Sequence, residues 1–555
     1  MRFISQIARP TGRVFARVSL ILLLAHPSSI HIKEPMMNHK PARFTLALSV
    51  ILTLLALLWM PAGPARAVSQ IFITPNGSGD CSQASPCSLT NGLALALEGD
   101  TIFAGAGVYT AASGNEVVLL DQPVNFNGGW NGAPSGGIVR NQNAYISIID
   151  GQNARRGMTI NYTPSATVYP VVSGWTIRNG NATGLSDTCS VWAFTGVGCG
   201  GGIYINGADP MIVSNIIHSN NAAMLDTGLG GGGGIYLLDS EGAIIVGNEI
   251  HGNNSNPAGE GWGGGIYIHN SRYQTYVESN DIHNNDSSII DEAHIGSGIA
   301  INNNLDGIEV TNNQIHDNGQ ASLSYNGSAI FCQYCSNQVN IESNQMLDNH
   351  GDNALALSYS SPLVQLNTII NPGSNTGFYF GSGAAGQIIN VFNNIIARHA
   401  ETNIHGAQTS FTNTSMTLFH NSLADAPIGI SIENSPGLGS LFLQFSNGIV
   451  SGHSVTGIST SGPVTLVVTN TLFHANEADG VTGSDPFFGD PAFKSPVTYN
   501  YHLSRGSQAI DRIASGLHFD IDGDARPFGS GTTAFDAGAD EFIHSLFFFL
   551  PVTVR

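Results

Sequence analysis

The same six letters recur along this chain: "GGGIYI" at 200–205, "GGGIYL" at 232–237 and "GGGIYI" at 263–268, 32 and then 31 residues apart. A second phrase travels with them. It reads "NIIHSN" from Asn215, "NEIHGN" from Asn248, "NDIHNN" from Asn280, "NQIHDN" from Asn313 and "NQMLDN" from Asn344. Degenerate copies start at Asn367, Asn393, Asn421, Asn447 and Asn470, and the spacing falls from 31–33 residues to 23–28. A unit of this size cannot bury its apolar face alone, so the copies must stack into a solenoid.

The apolar runs are three to five residues long, rich in β-branched side chains and bounded by Asn and Gly. That is strand chemistry, and helical periodicity is absent. Each winding is expected to hold three strands: "AIIV" (243–246), "EIH" (249–251) after a tight turn at Gly247-Asn248, and "GIYI" (265–268) after a longer loop. Parallel stacking puts successive copies about 4.8 Å apart. Asn215, Asn248, Asn280, Asn313 and Asn344 then fall at a turn, where Asn tolerates the left-handed conformation and its amide can bond to the next copy. The isoleucines of "GIYI" share one parity and point into the coil; the tyrosine points outward. The leading glycines let the backbone bend into the strand.

This pattern resembles the right-handed parallel β-helix of the pectin-lyase-like superfamily, over most of the chain beyond the leader. "ITPNGSGDCSQASPCSLTNGLALALEGDTIFAGAGVYT" (73–110) looks like the N-terminal module of secreted bacterial β-helix proteins, with Ser88 capping a short helix over the open end of the coil. "NYHLSRGSQAID" (500–511), "DIDGDARPFG" (520–529) and "FDAGADEF" (535–542) resemble the choice-of-anchor module that closes many bacterial surface β-helices. The expected organisation is a targeting segment at 1–67, a cap and first turns at 68–135, repeats at 136–480, an anchor-like module at 481–542 and an apolar tail at 543–555.

Within the leader, basic "NHKPARF", apolar "TLALSVILTLLALLWM" and the small-residue "ARA" follow in the order of a secretory signal, with the start at Met36 or Met37. Eight of the 19 Lys and Arg and one of the 39 Asp and Glu lie in 1–67, leaving 11 basic against 38 acidic residues and Lys494 as the sole lysine. Such a chain repels nucleic acid and polyanions. Its expected partner is a polysaccharide or cell-surface glycan, and no membrane span is expected beyond the leader. The six cysteines form three close pairs, Cys81/Cys87, Cys189/Cys199 and Cys332/Cys335, as local disulfides in an exported protein would.

Four features bear on chemistry. The outward column Tyr204, Tyr236, Tyr267, Ala300, Phe331, Ala356, Tyr379 reads as an aromatic stripe suited to stacking on sugar rings, with Tyr204, Tyr236, Tyr267, Phe331 and Tyr379 as the contacts. In the superfamily it resembles, substrate grooves run along this strand and the loop before it. Rival readings are plain stabilisation of neighbouring strands and a structural or adhesive surface protein. The second column, His218, His251, His283 and His316, faces solvent as a ladder rather than a metal site. The candidates for catalysis as a lyase or glycoside hydrolase are Asp291, Glu292 and His294 in the loop before "GIAI"; Arg178, Arg272 and Arg398 fall off the aromatic column. Asp520, Asp522 and Asp524 alternate around Gly523, a spacing that can coordinate Ca²⁺. "GLGGGGG" (228–234) matches G-x-G-x-x-G but leads into a strand, so it offers no phosphate cradle.

Overall fold

The computed structural model describes residues 68–543 apart from 165–167, 186–189, 192–193, 196–197, 227, 272–273, 289–293, 304–306, 321–324, 383–385, 409 and 529–533. The leader, Cys189, Arg272, Asp291, Glu292 and the tail from 544 lie outside the described residues. Beyond Ala67 the chain clusters as one compact unit, Val68–Arg555.

A typical winding holds Ile244–Val246, Glu249–His251 and Ile266–His269, the three strands expected from the repeat. Parallel pairing of successive windings builds three long sheets of 14, 14 and 12 strands among the described residues. We call these the first, second and third sheets in that chain order. Pairing is in register: Ile245 lies between Ile212 and Val277, and Ile250 between Ile217 and Ile282. A one-residue slip would turn every inward isoleucine to the outside, so burial of one face specifies the register. These residues, with Ile235, Leu237, Ile266 and Ile268 of the third sheet, are fully buried in one continuous core.

Asparagine ladders join the windings at two corners. The Asn215 backbone N–H and side-chain amide both donate to Asn248 Oδ1, at 3.0 and 3.1 Å. The pattern repeats through Asn280, Asn313, Asn344, Asn367, Asn394 and Asn421. The last Asn of the same phrase makes a second ladder, Asn220, Asn253, Asn285, Asn318, Asn349 and Asn371. The left-handed residue is not the ladder Asn, as expected from its turn chemistry, but the one before it: Ser214, Gly247, Ser279 and Asn312, all with φ between 53° and 62°. The ladder amide is drawn inward because two strands meeting at a corner leave backbone groups only a side chain can satisfy. By the same register Asn393, Asn447 and Asn470 are left-handed corner residues rather than ladder members.

The helix Leu89–Leu95 caps the N-terminal end, and Ser88 Oγ accepts from the Asn91 N–H at 3.3 Å. At the other end Gly480 and Ser484 bridge to Ile458 and Thr469, and Phe487–Phe488 closes the second sheet by pairing with Leu472–His474. The chain then doubles back along the outer side of that sheet. Tyr499 donates to Asp348 and Tyr501 to Asp425, both at 2.7 Å, and Ser422 Oγ accepts from the Ala539 N–H. The closing segment is therefore a lateral strap over the later windings as well as an end cap.

Candidate functional site

The outward column of the third sheet forms as its parity requires. Tyr204, Tyr236, Tyr267, Ala300, Phe331, Ala356 and Tyr379 face one another across consecutive strand pairs. Tyr204 and Tyr236 stack with centroids 5.5 Å apart and planes 17° from parallel. The column is not wet, however. Tyr204, Tyr236, Tyr267 and Phe331 are buried, the most exposed of them at 5%. The expectation that these four rings meet a glycan directly is corrected.

The cover comes from the longer loop of each winding. Gly198–Cys199, Leu229–Gly231, Glu260–Trp262, His294–Ile295 and Tyr325–Asn326 pair in parallel as an outer sheet. Its glycines fit it to the rings beneath: a Cβ on Gly231 would stand 2.9 Å from Tyr267 Cδ1 and 3.2 Å from Tyr236 Cε2. Gly232 has φ of +65° and turns the chain from the outer sheet into the third. The tyrosines thus make a second apolar core with Val191, Leu229, Trp262 and Leu238. Burying rings this size contributes on the order of 2 kcal/mol each, enough to hold a short strand down. A cation that the sequence reading missed closes the column: the Arg156 guanidinium lies 4.4 Å from the Tyr204 ring centre and donates to the Gly200 and Cys199 carbonyls. It is buried and held by backbone, which suits packing rather than proton abstraction. Tyr267→Phe is accordingly expected to cost about 1 kcal/mol of stability, by loss of the contact to His269 Nδ1 at 3.3 Å. Retention on polysaccharides should be unchanged, and urea unfolding beside affinity electrophoresis checks both.

The column emerges where the outer sheet ends. Only three residues separate Gln345–Leu347 from Gly351–Ser358, too few for an outer strand. Ala356 leaves no ring at the next level, and Tyr379 is half-buried, 5.7 Å from the His405 ring. Burial, helped by the Glu433 charge, pushes the Tyr379 phenol above its ordinary value. Beyond His405 the column runs on through Ser431 and Ser459. This leaves an uncovered face of small and polar residues around one aromatic pair.

The histidine column is a half-buried stack. His218, His251, His283 and His316 lie 4.9–5.0 Å apart with planes within 8° of parallel. Their nitrogens turn sideways to Ser219, Asn284, Asp281 and Asp317 rather than converging on a point. Desolvation, with the neighbouring imidazole, lowers the pKa of His218 and of His251. Of the catalytic candidates, Asp291 and Glu292 lie outside the described residues, and the backbone of His294 belongs to the outer sheet, paired with Gly261 and Tyr325.

In the closing segment Asp520, Asp522 and Asp524 bring carboxylate oxygens within 4.8 Å of one another, and a ring nitrogen of His502 lies as close to carboxylate oxygens of Asp522 and Asp540. Asp520 Oδ1 already accepts from the Asp522 and Asp524 N–H groups, and Oδ2 from Glu541 N–H. Those bonds staple the loop that presents the three carboxylates. The strap also carries buried charge. Arg526 Nη2 donates to the Gly538 carbonyl at 3.0 Å, and its Nε lies 3.8 Å from Glu541 Oε2. Burial beside Glu541 pushes the Asp536 carboxyl up to about 7. Disulfides join Cys81 to Cys87 and Cys332 to Cys335; Cys199 is also disulfide-bonded, and its expected partner Cys189 lies outside the described residues. Among the described residues no helix is long and apolar enough to cross a membrane.

A family model described as right handed beta helix region matches residues 135–291 and 167–329. No curated protein matches the sequence. Similar solved structures include the pectate lyase Pel9A, at 12% identity over 86% of this chain and 97% of that one, with a TM-score of 0.35. XylC in complex with xylose matches at 10% identity over 85% and 98%, with a TM-score of 0.41. The catalytic unit of a GH87 alpha-1,3-glucanase from Streptomyces thermodiastaticus matches at 14% identity over 77% and 71%, with a TM-score of 0.33. The three parallel sheets make this chain a parallel β-helix, and the family match over its central windings is to the right-handed kind.

Proposed function

We propose that this is an exported, surface-associated β-helix protein that binds an extended polysaccharide along the uncovered part of its third sheet. The observation that carries the reading is the half-exposed Tyr379–His405 stack, set on a face whose outer layer has ended. A pyranose presents an apolar C–H face that an aromatic ring can cover while its hydroxyls stay wet. Export is supported by the order of the leader and by two disulfides closing short loops, which form in oxidising compartments. Surface attachment rests on the resemblance of the closing segment to an anchor module. The excess of acidic residues favours a neutral polymer over a polyuronate.

The test is the chain from residue 68 onward, run through native gels cast with neutral or acidic polysaccharides, with and without Ca²⁺. Retardation by one neutral polymer is expected, and Tyr379→Ala should weaken it about tenfold, the scale of one lost stacking contact. New reducing ends or unsaturated products would establish a glycoside hydrolase or lyase and turn attention to Asp291, Glu292 and His294. No retardation by any polymer would leave a structural or adhesive coil.

A further inference from the structure

The corner that follows the third sheet carries an anomaly. In every winding from 203 to 358 the residue after the strand is left-handed. The series reads Gly207, Asp239, Asn270, Asn303, Tyr334, Tyr359, with φ of 61°, 52°, 51°, 58°, 55° and 51°. The strand pairs fix these as one column, since Leu238, His269, Asn302, Gln333 and Ser358 are partners in register. Gly, Asp and Asn are the residues that accept this conformation at least cost; a bulky aromatic is an outlier there. Two successive windings nonetheless place tyrosine at the position, each 39% exposed. Core packing does not explain them, because both stand among the exposed large side chains at the surface. Strain kept at an exposed position points to a use other than folding.

The surroundings are built to hold the pair still. The rings lie 5.1 Å apart with planes 31° from parallel. Tyr334 sits inside the loop closed by the Cys332–Cys335 disulfide. Ser360 of the next winding accepts from the Cys335 N–H at 2.9 Å and donates to the Cys332 carbonyl at 3.0 Å. One winding further on, Ile388 is 55% exposed and extends the stripe. Together they line an open groove of about 400 Å³, whose other walls are Ser336, Asn337 and Ser361. Among the described residues no carboxylate, Lys, Arg or His lines it.

We propose that Tyr334, Tyr359 and Ile388 form a binding platform for an uncharged hexopyranose segment of a polysaccharide running along the coil axis. The rings cover the C–H faces of successive sugars, one winding apart, and the serine and asparagine rim meets their hydroxyls. A uronate would bring a charge to a groove without a counter-charge. A pre-formed pair bound by disulfide and cross-winding hydrogen bonds loses little freedom on binding. This rests on the polysaccharide-binding reading above and gives it a second, separate contact and a ligand class.

The test uses the residue that neighbouring windings already place at this corner. The double variant Tyr334→Asn/Tyr359→Asn should fold with a Tm no lower than the parent, since it removes two strained positions. Its retardation in gels of hydroxyethyl cellulose or galactomannan, the neutral hexopyranose probes, should fall at least tenfold, with no retardation of either protein by polygalacturonate. A Tm several degrees lower would make the tyrosines structural and overturn the proposal. Unchanged retardation of the double variant, with loss in Tyr379→Ala, would overturn this platform and leave the polysaccharide reading standing. Retardation by polygalacturonate alone would overturn the ligand class. No retardation of the parent by any polymer would overturn both.

Discussion

Asn280→Leu is expected to lower the unfolding free energy by about 4 kcal/mol, although it keeps the number of side-chain heavy atoms and the branch at Cγ. The side chain lies inside the coil wall at 2% exposure and serves three windings. Its Oδ1 accepts from the Asn248 backbone N–H and side-chain amide, both at 3.0 Å. Its Nδ2 donates to the Ile245 carbonyl at 2.9 Å and to Asn313 Oδ1 at 3.0 Å. Leucine leaves two buried donors of Asn248 without an acceptor, and each orphaned group costs about 1–3 kcal/mol. The loss also interrupts a chain of bonds that polarise one another. Asn284→Gly is the matched control: it is an exposed corner residue with φ of 53°, and glycine keeps that conformation. Its expected effect is within about 0.5 kcal/mol. Urea unfolding of the two variants measures the contrast. Equal small losses would mean the ladder is a consequence of stacking and not a cause of it.

That contrast also shows which parts of the fold were legible. A letter repeated at every winding says that a column exists, because stacked copies must superpose. It does not say what lies on top of the column. Tyr204, Tyr236 and Tyr267 were placed on one outward face correctly and made wet wrongly. The outer strands are two or three residues long, glycine-rich and without alternation, so no local pattern announces them. The signal that could have found them is the period. It drops from 31–33 residues to 23–28 at Asn367, close to where the outer sheet ends after Tyr325–Asn326. Windings of the longer kind hold the extra strand, and Gly198, Gly230 and Gly261 recur in it because the backbone of the next winding, at Ala222, Ser255 and Ser287, passes too close for a Cβ.

The degenerate copies of the Asn phrase carry a second message. At the third position of the second-sheet strand, histidine gives way in register to Leu347, Ile370, Ala397 and Ala424. Ile370, Ala397 and Ala424 pack against Tyr501, Ile521 and Ala539 of the closing strap, with Leu347 at the edge. What looked like decay of the repeat is the footprint of the returning chain: polar letters where the sheet meets water, apolar and small ones where it meets the strap. The Tyr334–Tyr359 pair was missed for a related reason, since a corner residue is read for turn chemistry and its side chain is given no task.

The same replacement of ladder letters makes the later windings sensitive to acid. In place of asparagine, the second ladder carries His399 and His453, linked through Asn403: His399 Nδ1 lies 3.0 Å from Asn403 Oδ1, and Asn403 Nδ2 lies 3.1 Å from His453 Nε2. Burial pushes both imidazoles down to about 4. His420, under the strap beside Arg526, is also held well below its ordinary value by burial and that guanidinium. A group whose folded pKa is depressed binds its proton more readily in the unfolded chain, so its stabilisation is complete above about 6.5 and is lost as the pH falls towards 4. Asp536, raised to about 7, works the other way and favours the folded state as the pH falls from 7 towards 4. His502, raised by its bond to Asp540, loses its contribution only as the pH rises. Near pH 5 the three buried imidazoles outweigh Asp536 by about two protons, a slope of about 2–3 kcal/mol per pH unit. Urea midpoints should therefore fall steeply between pH 6 and 4.5. His399→Asn/His453→Asn, which restores the letter used in the earlier windings, should flatten that slope by about two protons while leaving stability at pH 8 nearly unchanged. A slope that stays the same in the double variant would place the acid sensitivity elsewhere, in His420 under the strap or in the half-buried His218 and His251.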